Sequence, residues 1–371
     1  MKLIKNHKLL IYLSIIFSLY INCTEAGSKT IVEQNNTVAI KDSIPKKTER
    51  DTITINAVGD VMFGSNFPDS SEMPENMGKN LLKPFENYLK DSDINFANSE
   101  GTFLNRGGIP KGLGNQVFCF RQPSEMAKNY VDYNFNLLSI ANNHISDFGE
   151  RGISSTDSVL TALNIAFAGS LSKPITSIKV RSTTIGFAAF APHKGCVNMN
   201  DIENAITTVK KLKSENDIVI VSFHGGAEGD KHQHVTRKTE FFYKQNRGNV
   251  YDFAHQMIDA GADVVIGHGP HVVRAVELYH EKFIAYSLGN FCTYGMFNLK
   301  GVSGNAPLLK LKIDNRGNFM SAKIISGKQL GEGGPILDEQ EKTAFNKIAE
   351  LSKTDFPESE LSFVDGTIEK K

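Results

Sequence analysis

Six short β-rich runs in this 371-residue chain each end on a side chain able to bind a metal ion or move a proton. Gly59-Asp60 follows TINAV, Asn98 and Glu100 follow INFA, and Asn142, Asn143 and His144 follow LLSIA. His224 and Glu228 follow IVIVSF, His268 and His271 follow DVVIG, and Asn290 follows AYSLG. Histidine nitrogens combined with carboxylate and amide oxygens, and no thiolate, suit Zn, Mn or Fe better than Ca or a sulfur site. Two or more histidines with an acid placed to bridge fit a pair of divalent ions, which activate a water and steady both the attacking and the leaving oxygen. The chemistry is therefore hydrolysis, with one or two divalent metal ions as cofactor.

Such side chains must be carried by strands that end together. The runs TITINAV (52–58), INFAN (94–98), LLSIAN (137–142), IAFAG (165–169), TTIGFAAFA (183–191), DIVIVSF (217–223), DVVIG (263–267) and FIAYSLG (283–289) read as strands. Helical patterns lie between them at 74–91, 124–133, 154–163, 200–215 and 250–260. Strands separated by helices predict a layered α/β fold, and ligands of such sheets bind beyond the carboxyl ends of the strands. Later runs follow one another through turns such as Asn315-Arg316-Gly317-Asn318, so mixed central sheets flanked by helices are expected rather than one parallel sheet. The domain is placed at 51–330, followed at 331–371 by a C-terminal helix, near 338–352, and a loose tail.

Composition narrows the class. With 41 basic and 41 acidic residues the chain has no excess of positive charge with which to coat nucleic acid. No internal apolar run reaches the ~18 residues needed to cross a bilayer, which excludes a multi-pass membrane protein. Residues 1–22 read as a signal: Lys2, Lys5 and Lys8, then an apolar run at 9–21. Cys23 directly after it resembles the lipidated cysteine of bacterial lipoproteins, predicting an extracytoplasmic protein of the cell envelope held to the membrane by a lipid anchor. Residues 23–50 are polar and patternless and read as a flexible tether. Cys119, Cys196 and Cys292 then remain, an odd number, so at least one thiol is free. Without residues 1–22 the chain carries 38 basic and 41 acidic groups, a formal charge of −3. Attraction for an anionic substrate must then be local, and bound metal is its obvious source.

The segments NAVGDVMFG (56–64), NSEG (98–101), SIANNHISDFG (139–149), SFHGGAE (222–228), VIGHGPHVV (265–273) and YSLGNF (286–291) resemble, in order and spacing, the CapA family of capsule-synthesis proteins. The resemblance implies a calcineurin-like metallophosphatase fold and a link to poly-γ-glutamate synthesis and export. It also implies that Asp60 holds one metal, Glu100 bridges two, Asn143 binds metal through its oxygen, and His144 protonates the leaving group. His224, His268 and His271 complete the ligands, and Asn290 lies in a Ser-Leu-Gly-Asn-Phe signature with a supporting role. Two positions depart from the pattern. Met62 stands where metallophosphatases have a histidine, so either the first metal site is weak or Glu228 compensates, and Gly225 stands where CapA proteins usually carry tryptophan.

Asn98, Asn142, Asp147, Glu228 and Asn290 are expected to support the ligands or meet substrate, Asp147 by orienting His144. His193, His232, His234, His255 and His280 have no motif support and read as surface or satisfied polar groups, as do Lys194 and Arg237. The leading expectation is a lipid-anchored, metal-dependent hydrolase associated with the capsule-synthesis machinery, acting on a phosphoester or on an anionic polymer. The alternatives are a non-catalytic component that holds an anionic polymer, and a secreted metallophosphoesterase or nucleotidase.

Overall fold

A computed structural model describes residues 52–112 and 117–371; the signal, Cys23 and the tether lie outside the described residues. The chain first lays down four strands of one sheet: β1 (Ile53–Met62), β2 (Ile94–Ser99), β3 (Leu137–Ser139) and β4 (Ala166–Ala168). It then builds a second sheet from β5 (Ile175–Val180), β6 (Thr183–Phe190), β7 (Ile218–His224), β8 (Val264–His268), β9 (Val276–Tyr279) and β10 (Lys282–Ala285). Finally it returns to the first sheet with β11 (Asn290–Thr293), β12 (Leu308–Ile313), β13 (Phe319–Ile325), β14 (Leu361–Val364) and β15 (Thr367–Lys370). The first sheet has the order β14-β15-β13-β12-β1-β2-β3-β4, with β11 also joining β1; the second runs β9-β10-β8-β7-β6-β5. Both are mixed. β1 to β4 are parallel while β12 to β15 are antiparallel. The layered α/β fold with mixed central sheets flanked by helices is thus the one observed.

Burial explains the strand sequences. β1 is buried at all but one position, and its apolar residues Ile53, Ile55, Ala57, Val58, Val61 and Met62 are joined by the buried polar side chains of Asn56 and Asp60, as befits a strand covered on both faces. β12, LLKLKI, alternates, with Lys310 and Lys312 turned away from the core. The two sheets pack face to face: Ile55, Ala57 and Phe96 share one apolar cluster with Phe187, Ile220 and Ile266. The rings of Phe96 and Phe187 meet edge to face at 5.7 Å.

Four longer helices flank the sheets: α1 (Gly149–Ala162), α2 (Ile202–Glu215), α3 (Val250–Asp259) and α4 (Thr343–Asp355). α2 and α3 bury Leu212, Phe253 and Met257 against Val219, Val221 and Val265, covering the outer face of the second sheet. Asp201 and Asn249 cap these two helices by accepting the backbone N–H of Asn204 and Asp252. Among the described residues, no helix is long and apolar enough to cross a membrane.

Two local expectations change. Residues 74–91 form no single helix but two 3-10 turns, Glu75–Gly78 and Lys83–Phe85, and one α-turn, Glu86–Leu89. Asn76 and Met77 adopt left-handed φ of 50° and 55°, and Pro84 has no N–H to continue a helix through its position. The end of the chain is not a loose tail: β14 and β15 form a hairpin that extends the first sheet beside β13. Its turn, Asp365-Gly366, has φ of 48° and 86°, the left-handed pair that Asp-Gly adopts readily.

Candidate metal centre and its cleft

The site begins where β1 changes partner. Its first half pairs with β12 and its last residues with β11, and the handover falls at Gly59. A Cβ there would overlap the carbonyl oxygen of Gly289, so glycine is required for the two backbones to meet. Directly after it, Asp60 lies in register with Asn98 of β2 on one side and Asn290 of β11 on the other. His224 and His268 are likewise register partners at the ends of β7 and β8. Ligand-type side chains from both sheets therefore converge at the carboxyl ends of their strands.

Asp60 is fully buried. Its Oδ1 accepts from Asn98 Nδ2 at 2.7 Å and lies 3.3 Å from His268 Nδ1, and its Oδ2 is 2.9 Å from His271 Nδ1. His271 holds a left-handed φ of 56°, an uncommon conformation for a residue with a side chain. Its carbonyl accepts from Asn290 Nδ2 at 3.2 Å. Glu100 Oε1 lies 3.7 Å from His271 Nε2 and 3.8 Å from His144 Nε2. Asn98 ties the group together, because its oxygen accepts from Asn142 Nδ2 at 3.1 Å.

The donor set fits a divalent cation. Asp60, Glu100 and His224 each offer a ligand atom, and these atoms lie within 4.8 Å of one another. Glu100 Oε1, Asn143 Oδ1, His224 Nε2 and His268 Nε2 are buried without a hydrogen-bond partner. Leaving such groups unpaired is costly, and a cation would engage several of them at once.

Electrostatics point the same way. Burial alone would raise Asp60, but hydrogen bonds from His268 and His271 outweigh it and hold the carboxylate well below its usual range. Burial, and then the charge of Asp60, push Glu100 well above its ordinary value. Burial opposes charge on His271, yet Glu100 and the hydrogen bond to Asp60 push it up to about 10. Burial keeps His224 neutral and ready to coordinate. At neutral pH the metal-free site thus holds a proton on His271 that a cation must displace. Metal binding is expected to release protons and to tighten between about pH 6 and pH 9, by about tenfold per pH unit for each proton released. Calorimetry in buffers of different ionisation enthalpy reads this directly; affinity independent of pH would contradict it.

A second arm carries His144. Asp147 Oδ2 accepts from Phe120 N–H at 2.6 Å and lies 2.8 Å from His144 Nδ1, while Asp147 Oδ1 is 2.6 Å from Lys111 Nζ. A carboxylate offers only acceptors, so His144 donates through Nδ1, and Nε2 is left facing Glu100 and the cleft. Phe120 stacks on the imidazole at 4.0 Å between ring centroids. Burial lowers the His144 pKa.

Residues 54–294 match the model of the bacterial capsule synthesis protein PGA_cap. The chain belongs to the PGA_cap family. Its relatives include the capsule biosynthesis protein CapA of Bacillus anthracis, 28% identical over 266 residues covering 66% of this chain and 61% of that one. The PGA biosynthesis protein CapA of Bacillus subtilis is 29% identical over 258 residues, 65% of this chain and 63% of that one. The match thus spans roughly three fifths of the length of these relatives. Among solved structures, the calcineurin-like phosphoesterase YfkN from Bacillus subtilis aligns with a TM-score of 0.42 and 13% identity, over 83% of this chain and 98% of that one. A putative 5'-nucleotidase from Staphylococcus aureus, in complex with alpha-ketoglutarate, aligns with a TM-score of 0.41 and 15% identity, over 81% of this chain and 58% of that one.

Both departures of this PGA_cap chain from the expected pattern have a structural counterpart. Met62 is fully buried and its sulfur accepts the Gly64 N–H at 3.2 Å, so it belongs to the core. Glu228 does not reach over to replace it: it is held at 2.8 Å by Arg247 Nη2 on the cleft wall. At Gly225 a Cβ would lie 2.6 Å from Met199 Sδ and 2.9 Å from the Arg247 carbonyl, which leaves no room for tryptophan on this backbone.

The PGA_cap site opens into a cleft of about 1000 Å³ whose walls include Lys111, Asn143, His144, Glu228, His271 and Asn290. Sequence reasoning missed several further residues at this cleft, among them Lys111, Phe120, His193 and Arg247. His193 was within reach of the same rule that found the others, since it follows the end of β6. Its Nε2 lies 3.2 Å from Arg247 Nη1, and burial, then the Arg247 charge, push it down to about 3. Lys111 and Phe120 lie in a loop region without strand pattern and gave no signal. His234 pairs with Asp355 and Arg237 with Glu358, away from the centre.

The wall is anchored from behind by Arg274, a fully buried residue. It donates to both carboxylate oxygens of Glu240 at 2.8 Å and to the carbonyls of His232 and Ala227. Arg274→Met leaves the buried Glu240 carboxylate without its ion-pair partner, with the Ala227 N–H still donating to it, at a cost of about 3–5 kcal/mol. Denaturant unfolding should show that loss of stability; a midpoint unchanged from wild type would refute the anchoring role.

Proposed function

We propose that this chain is a metal-dependent hydrolase of the bacterial envelope, tethered through Cys23 and acting in capsule-polymer metabolism. The observation that carries the reading is the convergence of Asp60, Glu100 and His224, whose ligand atoms lie within 4.8 Å of one another, with Asp60 and Glu100 beside His271, a residue that lines an open cleft. The names of the Bacillus relatives support the capsule context. The bond cleaved is a phosphoester or an amide such as a γ-glutamyl link.

Asp60, Glu100, His224, His268 and His271 are the residues that would hold the metal, with Asn143 Oδ1, buried without a hydrogen-bond partner in a residue of the same cleft, as a further donor. A divalent ion held there supplies Lewis-acid polarisation and lowers the pKa of a water. The protein supplies orientation and proton transfer. His144 starts neutral because burial disfavours its charge. An anionic substrate facing Nε2 favours the imidazolium, which places a proton where the leaving atom needs it. Asp147 accepts from Nδ1 and keeps the ring aimed, while Phe120 covers one ring face.

One observation favours a second reading, a component that holds an anionic polymer without cleaving it: the ligand expected at position 62 is replaced by a core methionine. Metal content, with Mn and Zn supplementation, and turnover of phosphodiesters, nucleotides and γ-glutamyl peptides decide between them. Metal with turnover supports the hydrolase, and the preferred substrate separates capsule work from a secreted nucleotidase. Polymer binding with metal present but no turnover establishes the holding role instead.

A further inference from the structure

The metal site of a PGA_cap chain lacking a ligand at position 62 needs another donor on the β1 side. We infer that Asn290 Oδ1 is that donor, completing a set with Asp60, Glu100 and His271; the inference rests on the metal-binding reading above.

Three features of the structure carry it. Asn290 is the in-register partner of Asp60 in parallel strands, which directs both side chains to the same side of the sheet at the same level. Its Nδ2 faces only acceptors, the His271 carbonyl at 3.2 Å and the Ser303 carbonyl at 3.1 Å. Those contacts identify the NH2 end and fix the opposite end as oxygen. That oxygen is buried and has no hydrogen-bond partner, although Asn290 lines the cleft beside His271 and Asn143. A side chain whose amide nitrogen is doubly satisfied and whose oxygen is buried and idle is arranged to present that oxygen to something absent from the protein itself. A carboxamide oxygen is a suitable ligand for the hard divalent ions that carboxylates and imidazoles also accept.

A purely structural role would act through Nδ2, by bracing the left-handed backbone of His271. Asn290→Asp and Asn290→Ala separate the two, because aspartate retains an oxygen ligand but loses the donor, whereas alanine loses both. Metal stoichiometry by equilibrium dialysis against Mn, and the visible d–d spectrum of the Co-loaded protein, are the readouts, with thermal melting to show that each variant is folded. If Asn290 is a ligand, Asn290→Ala weakens one metal equivalent by more than about 100-fold, beyond the loss typical of groups that only orient a ligand. It also changes the Co spectrum, and Asn290→Asp keeps the metal. If both variants lose metal equally, or if Asn290→Ala binds as wild type does, the inference is wrong while the metal centre stands. If wild type binds no metal, the hydrolase reading and this one fall together.

Discussion

Asp60→Asn is expected to abolish metal retention and to lower hydrolysis on the order of 10³-fold or more, because the chemical step loses a Lewis acid worth several kcal/mol. The substitution is nearly isosteric, so the effect comes from charge and hydrogen-bond polarity. Asp60 accepts from Asn98 at one oxygen and from His271 at the other, so it has no position for an NH2 group. Asparagine must turn a donor toward a donor at one of them, and it also forfeits the negative charge that His268 and His271 face. A stability loss of about 1–3 kcal/mol accompanies the mismatch. Metal analysis of the purified, folded variant is the check, and wild-type metal content would reverse the assignment of Asp60 as a ligand.

His144→Ala should leave metal content near wild type and reduce turnover by about 10²–10⁴-fold, the range for loss of a general acid. The size depends on the leaving group. A nitrophenolate departs without needing a proton, so its ester should lose least, and an alkyl phosphodiester or amide most. The pH profile supplies a second readout. The active form is the protonated ring and burial lowers its pKa in the free protein, so wild-type kcat/KM for the poor leaving group should decline as pH rises through that lowered value. The variant should lack this limb. Equal losses for good and poor leaving groups would show that His144 acts by shape or binding rather than by proton transfer.

Much of the fold could be read locally. Strand positions followed from short β-rich runs, because β2, β7 and β8 are buried at every position and their composition is constrained throughout. The ligand-type residues were legible for the same reason: a polar group just past an apolar run marks the end of a strand. The errors also have local causes. The 74–91 segment has helix-like apolar spacing, but Pro84 and the left-handed turns at Asn76 and Met77 divide it. The terminal hairpin was signalled by Asp365-Gly366 between two short β-rich runs, a signal hidden by the polar residues around it.

The sequence by itself determined which residue types stand at the strand ends, and hence the family. Those features depend on neighbours along the chain. Tertiary structure alone decided which of them meet. Asp60 and His271, 211 residues apart, share a hydrogen bond only because two mixed sheets pack face to face. Glu228 is turned to Arg247, Asp147 is joined to Lys111, and the Asn290 oxygen is left without a partner, all by contacts between separate loops. Such contacts depend on three-dimensional packing, in which the orientation of an amide or a carboxylate is set by whichever donors happen to surround it.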